Sequence, residues 1–185
     1  MTKIKAPPKD ASTDALHAAD ELGYEARSAT GDHAALKLWL RMLACTTQVE
    51  GEIRRRLRVR FDTSLPRFDY MAQLYREPAG LRMKDLSSHL MVSGANVTAI
   101  TDELERDGFV ARSSSPTDRR SWILQMTPKG RQQFEVMAKE HEQWVLELFG
   151  SLDASTVAQM YRQLGELRVH VLNSQSEALP PATTN

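Results

Sequence analysis

A single cysteine, a net charge of zero and the lack of any long apolar run set the first limits on this chain of 185 residues. Cys45 has no partner for an intrachain disulfide, which fits a reducing compartment. No apolar run approaches the roughly 18 residues that a membrane-spanning helix needs, so we expect no membrane contact. Residues 1–9 are positively charged but lack the apolar segment of a secretory signal, and we expect a cytoplasmic protein.

Motifs of catalysis and metal binding are missing as well. The chain has no glycine-rich phosphate loop, no nucleophile elbow and no zinc-ligand spacing. Its five histidines are scattered along the sequence. We therefore expect neither an enzyme nor a bound metal or cofactor.

The zero net charge means that binding to nucleic acid cannot rest on overall basicity, because 24 acidic residues balance 24 basic ones. Such binding would need the charges to be sorted in space. Residues 54–60 show this sorting, since they hold no acid and five arginines: Arg54, Arg55, Arg56, Arg58 and Arg60. The cluster can serve the DNA backbone, because guanidinium groups bind phosphate bidentately.

Helical periodicity organises most of the chain. Apolar residues at spacings of three and four predict a long helix over about 33–60. Ser64 followed by Pro66 predicts the start of the next helix, which runs to about residue 77. The remaining predicted segments are a short helix over 14–22, helices over about 128–149 and 153–173, a disordered tail at 1–11 and a flexible tail at 174–185.

Residues 83–130 are patterned as a helix–turn–helix followed by a wing. The inward positions of the two helices are Met83, Leu86 and Leu90, then Val97, Ile100 and Leu104. Two β-forming stretches, 108–112 and 121–126, flank a loop at 116–120. Such a unit presents a helix to the major groove of DNA and a basic tip to the neighbouring minor groove. The sequence therefore predicts a mainly α fold with an antiparallel wing of two or three strands, and a DNA-binding domain over 61–127.

Three groups of residues are predicted to meet DNA. They are Ser93, Ala95, Asn96, Thr98 and Thr101 in the major groove, Asp118, Arg119 and Arg120 in the wing, and Lys84, Arg112, Arg58 and Arg60 on the DNA backbone. Asparagine can pair with adenine, and threonine can contact thymine. In the wing, the acid can hold one arginine and leave the other for the narrow minor groove. For each helix residue, a phosphate contact or a structural role stays an equal alternative; Thr98, for example, can simply bond a backbone carbonyl.

The last two predicted helices carry apolar stripes. The residues are Phe134, Met137, His141, Trp144 and Leu148 in one helix, and Val157, Met160, Leu164, Leu167 and Val171 in the other. One interpretation is that both stripes pack inside the monomer. Two long amphipathic helices outside a small winged domain have little monomeric core to cover, however, so we favour a homodimer. Its helical dimerisation region would comprise residues 12–60 and 128–173.

Several motifs resemble, in order, those of the MarR (multiple antibiotic resistance regulator) family. They are Leu65 to Tyr70, Met83 to Leu86, Val92 to Thr98, Asp102 to Arg112, Pro116 to Arg120 and Met126 to Gly130, and the resemblance covers about residues 34–171. It implies a dimeric winged helix–turn–helix transcription factor that binds a pseudo-palindromic operator in double-stranded DNA. Such a factor is usually a repressor that a small ligand releases. Arg82 departs from the pattern, because Ser or Thr is usual before the supporting helix.

The resemblance also implies a ligand cleft between the long helix, the next helix and the winged domain. The candidate residues there are His33, Trp39, Arg41, Met42, Arg67, Tyr70 and Met71. Core packing or a solvated surface is the alternative role of each. An aromatic acid or its coenzyme A thioester would suit such a cleft as the small-molecule effector. The arginine cluster at 54–60 would then have an alternative to the DNA backbone, namely the phosphates of the coenzyme.

Two other functions stay open from the sequence. A winged-helix adaptor would bind protein and show no salt-dependent affinity for DNA. A redox sensor would use Cys45, because one branch of the family senses peroxide with a cysteine in its first helix. The neighbouring tyrosines of that branch are absent here, so we expect Cys45 to be a small buried packing residue.

Overall fold

The computed structural model describes residues 34–90, 94–114 and 122–177, with side chains as far as residue 174. The described elements are α1 (Ala34–Phe61), α2 (Leu65–Arg76), β1 (Leu81–Arg82), α3 (Met83–Leu90), α4 (Gly94–Arg106), β2 (Val110–Ser114), β3 (Trp122–Met126), α5 (Pro128–Leu148) and α6 (Ala154–Glu177). The chain divides into two compact units, Met1–Lys139 and Glu140–Asn185. None of the described helices is both long and apolar enough to cross a membrane. The predicted helix over 14–22 and the tail at 1–11 lie outside the described residues.

Helix α1 confirms the predicted long helix to within one residue at either end. Ile53 and Leu57 are buried, but Trp39 is 56% exposed. Cys45 is exposed too, so the expectation of a buried packing cysteine is wrong. The reason is that no residue between 34 and 52 is buried within the chain. The first half of α1 thus leaves its apolar side uncovered.

Helix α2 begins where the sequence predicts. Ser64 is its N-cap, and the Ser64 hydroxyl oxygen accepts a hydrogen bond from the Arg67 backbone N–H at 3.4 Å, while proline occupies the first turn. The buried side chains of α2 are Phe68, Tyr70, Met71 and Leu74. Because α2 contacts α1, α3, α4 and β3, it is the central helix of the first unit.

Three short strands form an antiparallel sheet in the order β1–β3–β2. Leu124 on the central strand pairs with Leu81 on one side and with Arg112 on the other. Gly80 leads into β1 with a φ of 90°, and a Cβ at this position would come within 2.6 Å of the Gln125 side chain. The sheet confirms the predicted wing, with the larger of the two expected numbers of strands.

The start of α5 packs within the first unit. The Phe134 ring lies 5.4 Å from the Phe68 ring and 4.9 Å from the Tyr75 ring, measured between centroids. Met137 is also buried. Phe134 and Met137 thus pack inside the monomer, which is the alternative that the sequence left open for this stripe.

The second unit contains α6, which begins at a carboxylate cap. The Asp153 carboxylate accepts hydrogen bonds from the Thr156 N–H and the Ser155 hydroxyl, both at 2.8 Å, and these bonds lower the pKa of Asp153. The helix ends at Glu177, beyond the predicted end at 173, so residues 174–177 are helical and not part of a flexible tail. All five residues of the predicted α6 stripe are exposed: Val157, Met160, Leu164, Leu167 and Val171.

Candidate nucleic-acid interface

Helix α4 has one buried and one exposed face. Its buried residues are Val97, Ile100, Thr101 and Leu104. The exposed face consists of residues spaced three and four apart, which share one side of a helix with 3.6 residues per turn: Ala95, Thr98, Ala99, Asp102 and Arg106. Asn96 is exposed at the edge of this face. Over its first two turns the exposed face of α4 carries only small, uncharged side chains, so another surface can approach it closely.

Thr101 does not belong to the exposed face. Its hydroxyl donates to the Val97 carbonyl at 2.7 Å, and the Tyr70 hydroxyl lies 2.6 Å from the same oxygen and donates to it. The prediction that Thr101 enters the major groove is wrong, because the helical period turns this side chain towards α2, where it is fully buried. Burial raises the pKa of Tyr70 to about 12, and the hydrogen bond with Thr101 offsets part of this effect.

Thr98 stays on the exposed face but has a backbone partner. Its hydroxyl donates to the Gly94 carbonyl at 3.0 Å. This is the structural alternative that the sequence left open. The methyl group and the acceptor lone pairs of Thr98 remain available to a ligand of the exposed face.

Arg112 on β2 is engaged by two carboxylates of α4. Its guanidinium donates to Asp102, and its Nε lies 3.1 Å from Oε2 of Glu105. The Arg112 side chain is 21% exposed, whereas that of Asp102 is 52% exposed. The charge of Arg112 is thus already paired within the chain, and its predicted contact with the DNA backbone stays a prediction.

Arg67 on α2 makes a corresponding pair at the end of α4. Its guanidinium donates to Asp107 and lies 3.7 Å from Glu103. The Arg67 side chain is 17% exposed. Two arginines from two neighbouring elements thus face four carboxylates of α4 and the turn that follows it.

The arginine cluster of α1 is partly neutralised by acids that precede it. Arg54 pairs with Glu50, and Glu52 binds both Arg55 and Arg56 at 2.7 Å. The hydrogen bonds from Arg55 and Arg56 lower the pKa of Glu52 to about 2. Residues 54–60 hold no acid, but the helical spacing of three and four brings these two glutamates beside them.

Three of the predicted backbone ligands remain available. Arg58, Arg60 and Lys84 are exposed, and none of them forms an ion pair with another described residue. Arg58 and Arg60 lie in the last turn of α1, and Lys84 lies in the first turn of α3.

A pocket of about 570 Å³ lies in the first unit, between the end of α1, α2, the end of α4 and the start of α5. Arg67 and Met71, two of the predicted ligand residues, line it. Arg106 and Lys129 add positive charge to the lining, and the Lys129 ammonium donates to the Asp107 carbonyl at 2.7 Å. Arg106 and Lys129 are not among the predicted site residues, because no local pattern indicates that the end of α4 meets the start of α5.

The other predicted site residues are not gathered at this pocket. Tyr70 is fully buried against Thr101, so its predicted place in a cleft wall is wrong. Trp39, Arg41 and Met42 lie on α1 and do not line the pocket. The predicted residues outside the described part of the chain are His33, Ser93, Asp118, Arg119 and Arg120.

Comparisons with known proteins agree with this architecture. The family model described as MarR family matches residues 63–122. BadR, a transcriptional activatory protein of Rhodopseudomonas palustris, is 43% identical over 60 residues, which are 32% of this chain and 34% of BadR. The transcriptional repressor MprA of Escherichia coli K12 is 39% identical over 67 residues, which are 36% of this chain and 38% of MprA. The chain thus spans little more than a third of the length of these two curated relatives.

A solved structure extends the similarity beyond the winged domain. Sco3205, a MarR family transcriptional regulator from Streptomyces coelicolor in complex with DNA, has a TM-score of 0.64 and 21% identity to this chain. The match covers 80% of this chain and 89% of the Sco3205 chain, and at this identity it concerns the fold. The MarR family model thus matches the winged helix–turn–helix of this chain, and a MarR family regulator of known structure shares its fold over most of its length.

Proposed function

We propose that this chain is a DNA-binding transcriptional regulator that places α4 in the major groove. The exposed face of α4 carries the proposal, because its first two turns offer only small, uncharged side chains. A helix with such a face can bring its backbone close to base edges. Asn96 and Thr98 then supply groups suited to adenine and thymine, with Ser93 and Ala95 beside them. Sco3205, which shares this fold, was solved in complex with DNA, and this supports the proposal.

Exposed cations supply the phosphate contacts in this proposal. Arg58, Arg60 and Lys84 are exposed and make no ion pair with another described residue. Phosphate contacts of this kind fix the position of a reading helix without specifying the sequence. In the wing, Asp118 is proposed to hold one of the arginines at positions 119 and 120, while the other enters the minor groove.

Selection of duplexes from a random DNA pool, followed by fluorescence anisotropy at two salt concentrations, tests the proposal. The wild type should bind the selected duplex more tightly than a shuffled one and lose affinity as salt rises. Ala95→Asp should weaken binding by at least about threefold, because it puts a carboxylate close to the phosphates. The same substitution suits the first turn of α4, since an acid there stabilises a helix N-terminus. Gln132→Glu, on an exposed position of α5, is the matched control and should bind normally.

Two outcomes would reject specific DNA reading. Equal affinity for the selected and shuffled duplexes would leave only non-specific binding. Absence of salt-dependent binding to any duplex would favour the winged-helix adaptor. Arg119→Ala and Arg120→Ala should weaken binding more than Lys3→Ala, and equal affinity of all three would contradict the wing assignment.

The regulator is further proposed to act as a homodimeric repressor on a pseudo-palindromic operator. The two-fold symmetry of such a dimer requires half-sites about one helical turn apart. MprA is described as a repressor and BadR as an activatory protein, so the sign of regulation needs its own measurement. Transcription in vitro from a promoter that overlaps the selected operator should fall when the protein is added. A rise would make the protein an activator.

A small-molecule effector is proposed for the pocket beside α4. Three cations, Arg67, Arg106 and Lys129, outnumber the two carboxylates of the lining, Asp62 and Asp107. Phe61 and Met71 add apolar atoms. An aromatic acid or its coenzyme A thioester matches this chemistry, because guanidinium groups pair well with carboxylate and phosphate. Occupation of the pocket would act on α4 directly, since Arg67 also holds Asp107.

Calorimetric titration with 1-naphthoate, its neutral amide and its coenzyme A thioester tests this effector class. We expect the acid or the thioester to bind more tightly than the amide and to weaken operator binding. Arg106→Gln should reduce that affinity, whereas Arg76→Gln, an exposed arginine outside the pocket lining, should not. Failure of both the acid and the thioester to bind would reject the class.

A further inference from the structure

Helix α4 carries acid on the face that the proposed function turns towards DNA. Asp102 follows Ala95, Thr98 and Ala99 on the exposed face, and its side chain is 52% exposed. Glu105 lies one turn further along, with its side chain 44% exposed. Carboxylates here would repel the DNA backbone. Each pair of a carboxylate and a phosphate roughly 7 Å apart in water lowers the affinity for DNA about threefold.

Arg112 contacts both of these acids. It lies on β2, it donates to Asp102, and its Nε is 3.1 Å from Glu105. Its own side chain is the least exposed of the three. An arginine so placed can hold both carboxylates on the side of the sheet and neutralise part of their charge.

We infer that Arg112 is a charge-masking residue of the DNA-binding surface: it restrains and neutralises Asp102 and Glu105 so that α4 can enter the groove, and it does not bind a phosphate. The inference rests on the proposed DNA binding and names a role within it. Arg67 on α2 makes similar ion pairs with Asp107 and Glu103, but these acids lie away from the exposed face of α4. Arg112 thus positions other side chains and does not itself contact the ligand.

A double-mutant cycle separates masking from phosphate binding. The variants are Arg112→Gln, the pair Asp102→Asn with Glu105→Gln, and the combination of all three. Affinity for the selected duplex is measured by anisotropy at low salt, and thermal unfolding is followed for each variant. The exposed Arg76 of α2, which lies outside the proposed DNA-binding residues, provides the control through Arg76→Gln.

Masking predicts that the cost of losing Arg112 depends on the acids. Arg112→Gln alone should weaken binding about tenfold, since two carboxylates at about threefold each are released. In the background without the acids, the same substitution should cost less than about threefold. Arg112→Lys should retain most of the affinity, because it keeps the charge. The control substitution Arg76→Gln should change affinity by less than about twofold.

The competing roles of Arg112 predict other patterns. If Arg112 binds a phosphate, Arg112→Gln should reduce affinity at least as much in the background without the acids, because removal of the acids frees the guanidinium for DNA. A merely structural ion pair would leave the combined variant as weak as Arg112→Gln, since neither retains the pair. If Arg112→Gln alone does not fold, the double variant without the acids is compared with the triple variant that also lacks Arg112. An affinity at least tenfold weaker in the triple variant overturns the inference. If the wild type binds no duplex, the proposed function falls and takes this inference with it.

Discussion

Thr98 and Thr101 are three residues apart on α4 and have opposite environments. Thr101→Val removes the acceptor of the buried Tyr70 hydroxyl, so it should lower the free energy of unfolding by about 1–3 kcal/mol, as measured by urea denaturation. Thr98→Val, the matched control on the exposed face, should change it by less than about 0.5 kcal/mol. Adding Tyr70→Phe to Thr101→Val should recover much of the loss, because the unpaired hydroxyl is gone. Equal effects of the two valine variants would contradict the buried hydrogen bond.

The phenol of Tyr70 makes stability sensitive to alkaline pH. Its folded-state pKa of about 12 lies above the ordinary value of 10.0, so the folded state favours the neutral phenol. The resulting contribution to the free energy of unfolding is fully present below pH 10 and is lost as the pH rises towards 12. In a titration followed by tyrosine absorbance, Tyr70→Phe should remove a step near pH 12. Tyr161→Phe, at an 81% exposed position, should leave that step in place.

Residues whose partners are local are predictable from the sequence, and residues whose partners are distant are not. The Ser64 cap depends on a backbone N–H three residues away, so it is visible in the sequence. Thr101 is predicted on the outer face of α4 because its side chain is polar. Its spacing from Val97 and Leu104, four and three residues away, places it on the buried face with them. Its partner Tyr70 is 31 residues away, and no spacing rule connects the two. The same limit hides the carboxylates that hold Arg112.

At the scale of elements, one glycine determines how α5 meets β2. A Cβ at Gly130 would lie 2.0 Å from the Phe109 carbonyl oxygen. This is a backbone atom, so it cannot move away without distorting the main chain. Gly130→Ala should therefore lower the free energy of unfolding by about 1–3 kcal/mol or more, as for other overpacked sites. Gly51→Ala, in the middle of α1 with nothing within 4 Å, should raise it by about 0.5–1 kcal/mol. Thermal unfolding of the two variants checks both signs, and a neutral Gly130→Ala would contradict the close approach.

Element bounds follow from the sequence more closely than element contacts do. Helices α1 and α2 begin and end near their predicted limits, because caps and apolar periodicity are local signals. Strand β1 has only two residues, too few for an alternating pattern, and it is recognisable only by its pairing with β3. The pocket beside α4 depends on four elements that meet in space, so only Arg67 and Met71 of its lining could be named in advance.

At the scale of the whole molecule, each unit leaves apolar side chains in contact with solvent. In the first unit these include Leu36, Trp39 and Leu43 of α1. In the second unit they include Val157 and Leu164 of α6. Contiguous apolar stripes of this kind are rare on the surface of monomers and typical of subunit interfaces. The proposed homodimer rests on them, whereas the apolar residues at the start of α5 are already covered within the chain.

Leu164→Glu tests the proposed dimer, because it places a charge in the middle of the exposed α6 stripe. Burying an unpaired carboxylate in an interface is strongly unfavourable, so we expect a monomer in sedimentation velocity where the wild type is a dimer. Gln159→Glu adds the same charge on another face of α6 and should leave the dimer intact. A monomer engages one half-site at a time and should bind the operator at least about 100-fold more weakly, since a linked second site commonly contributes that much. If Leu164→Glu stays dimeric and binds normally, the α6 stripe is not the interface, and the exposed side of α1 becomes the next surface to test.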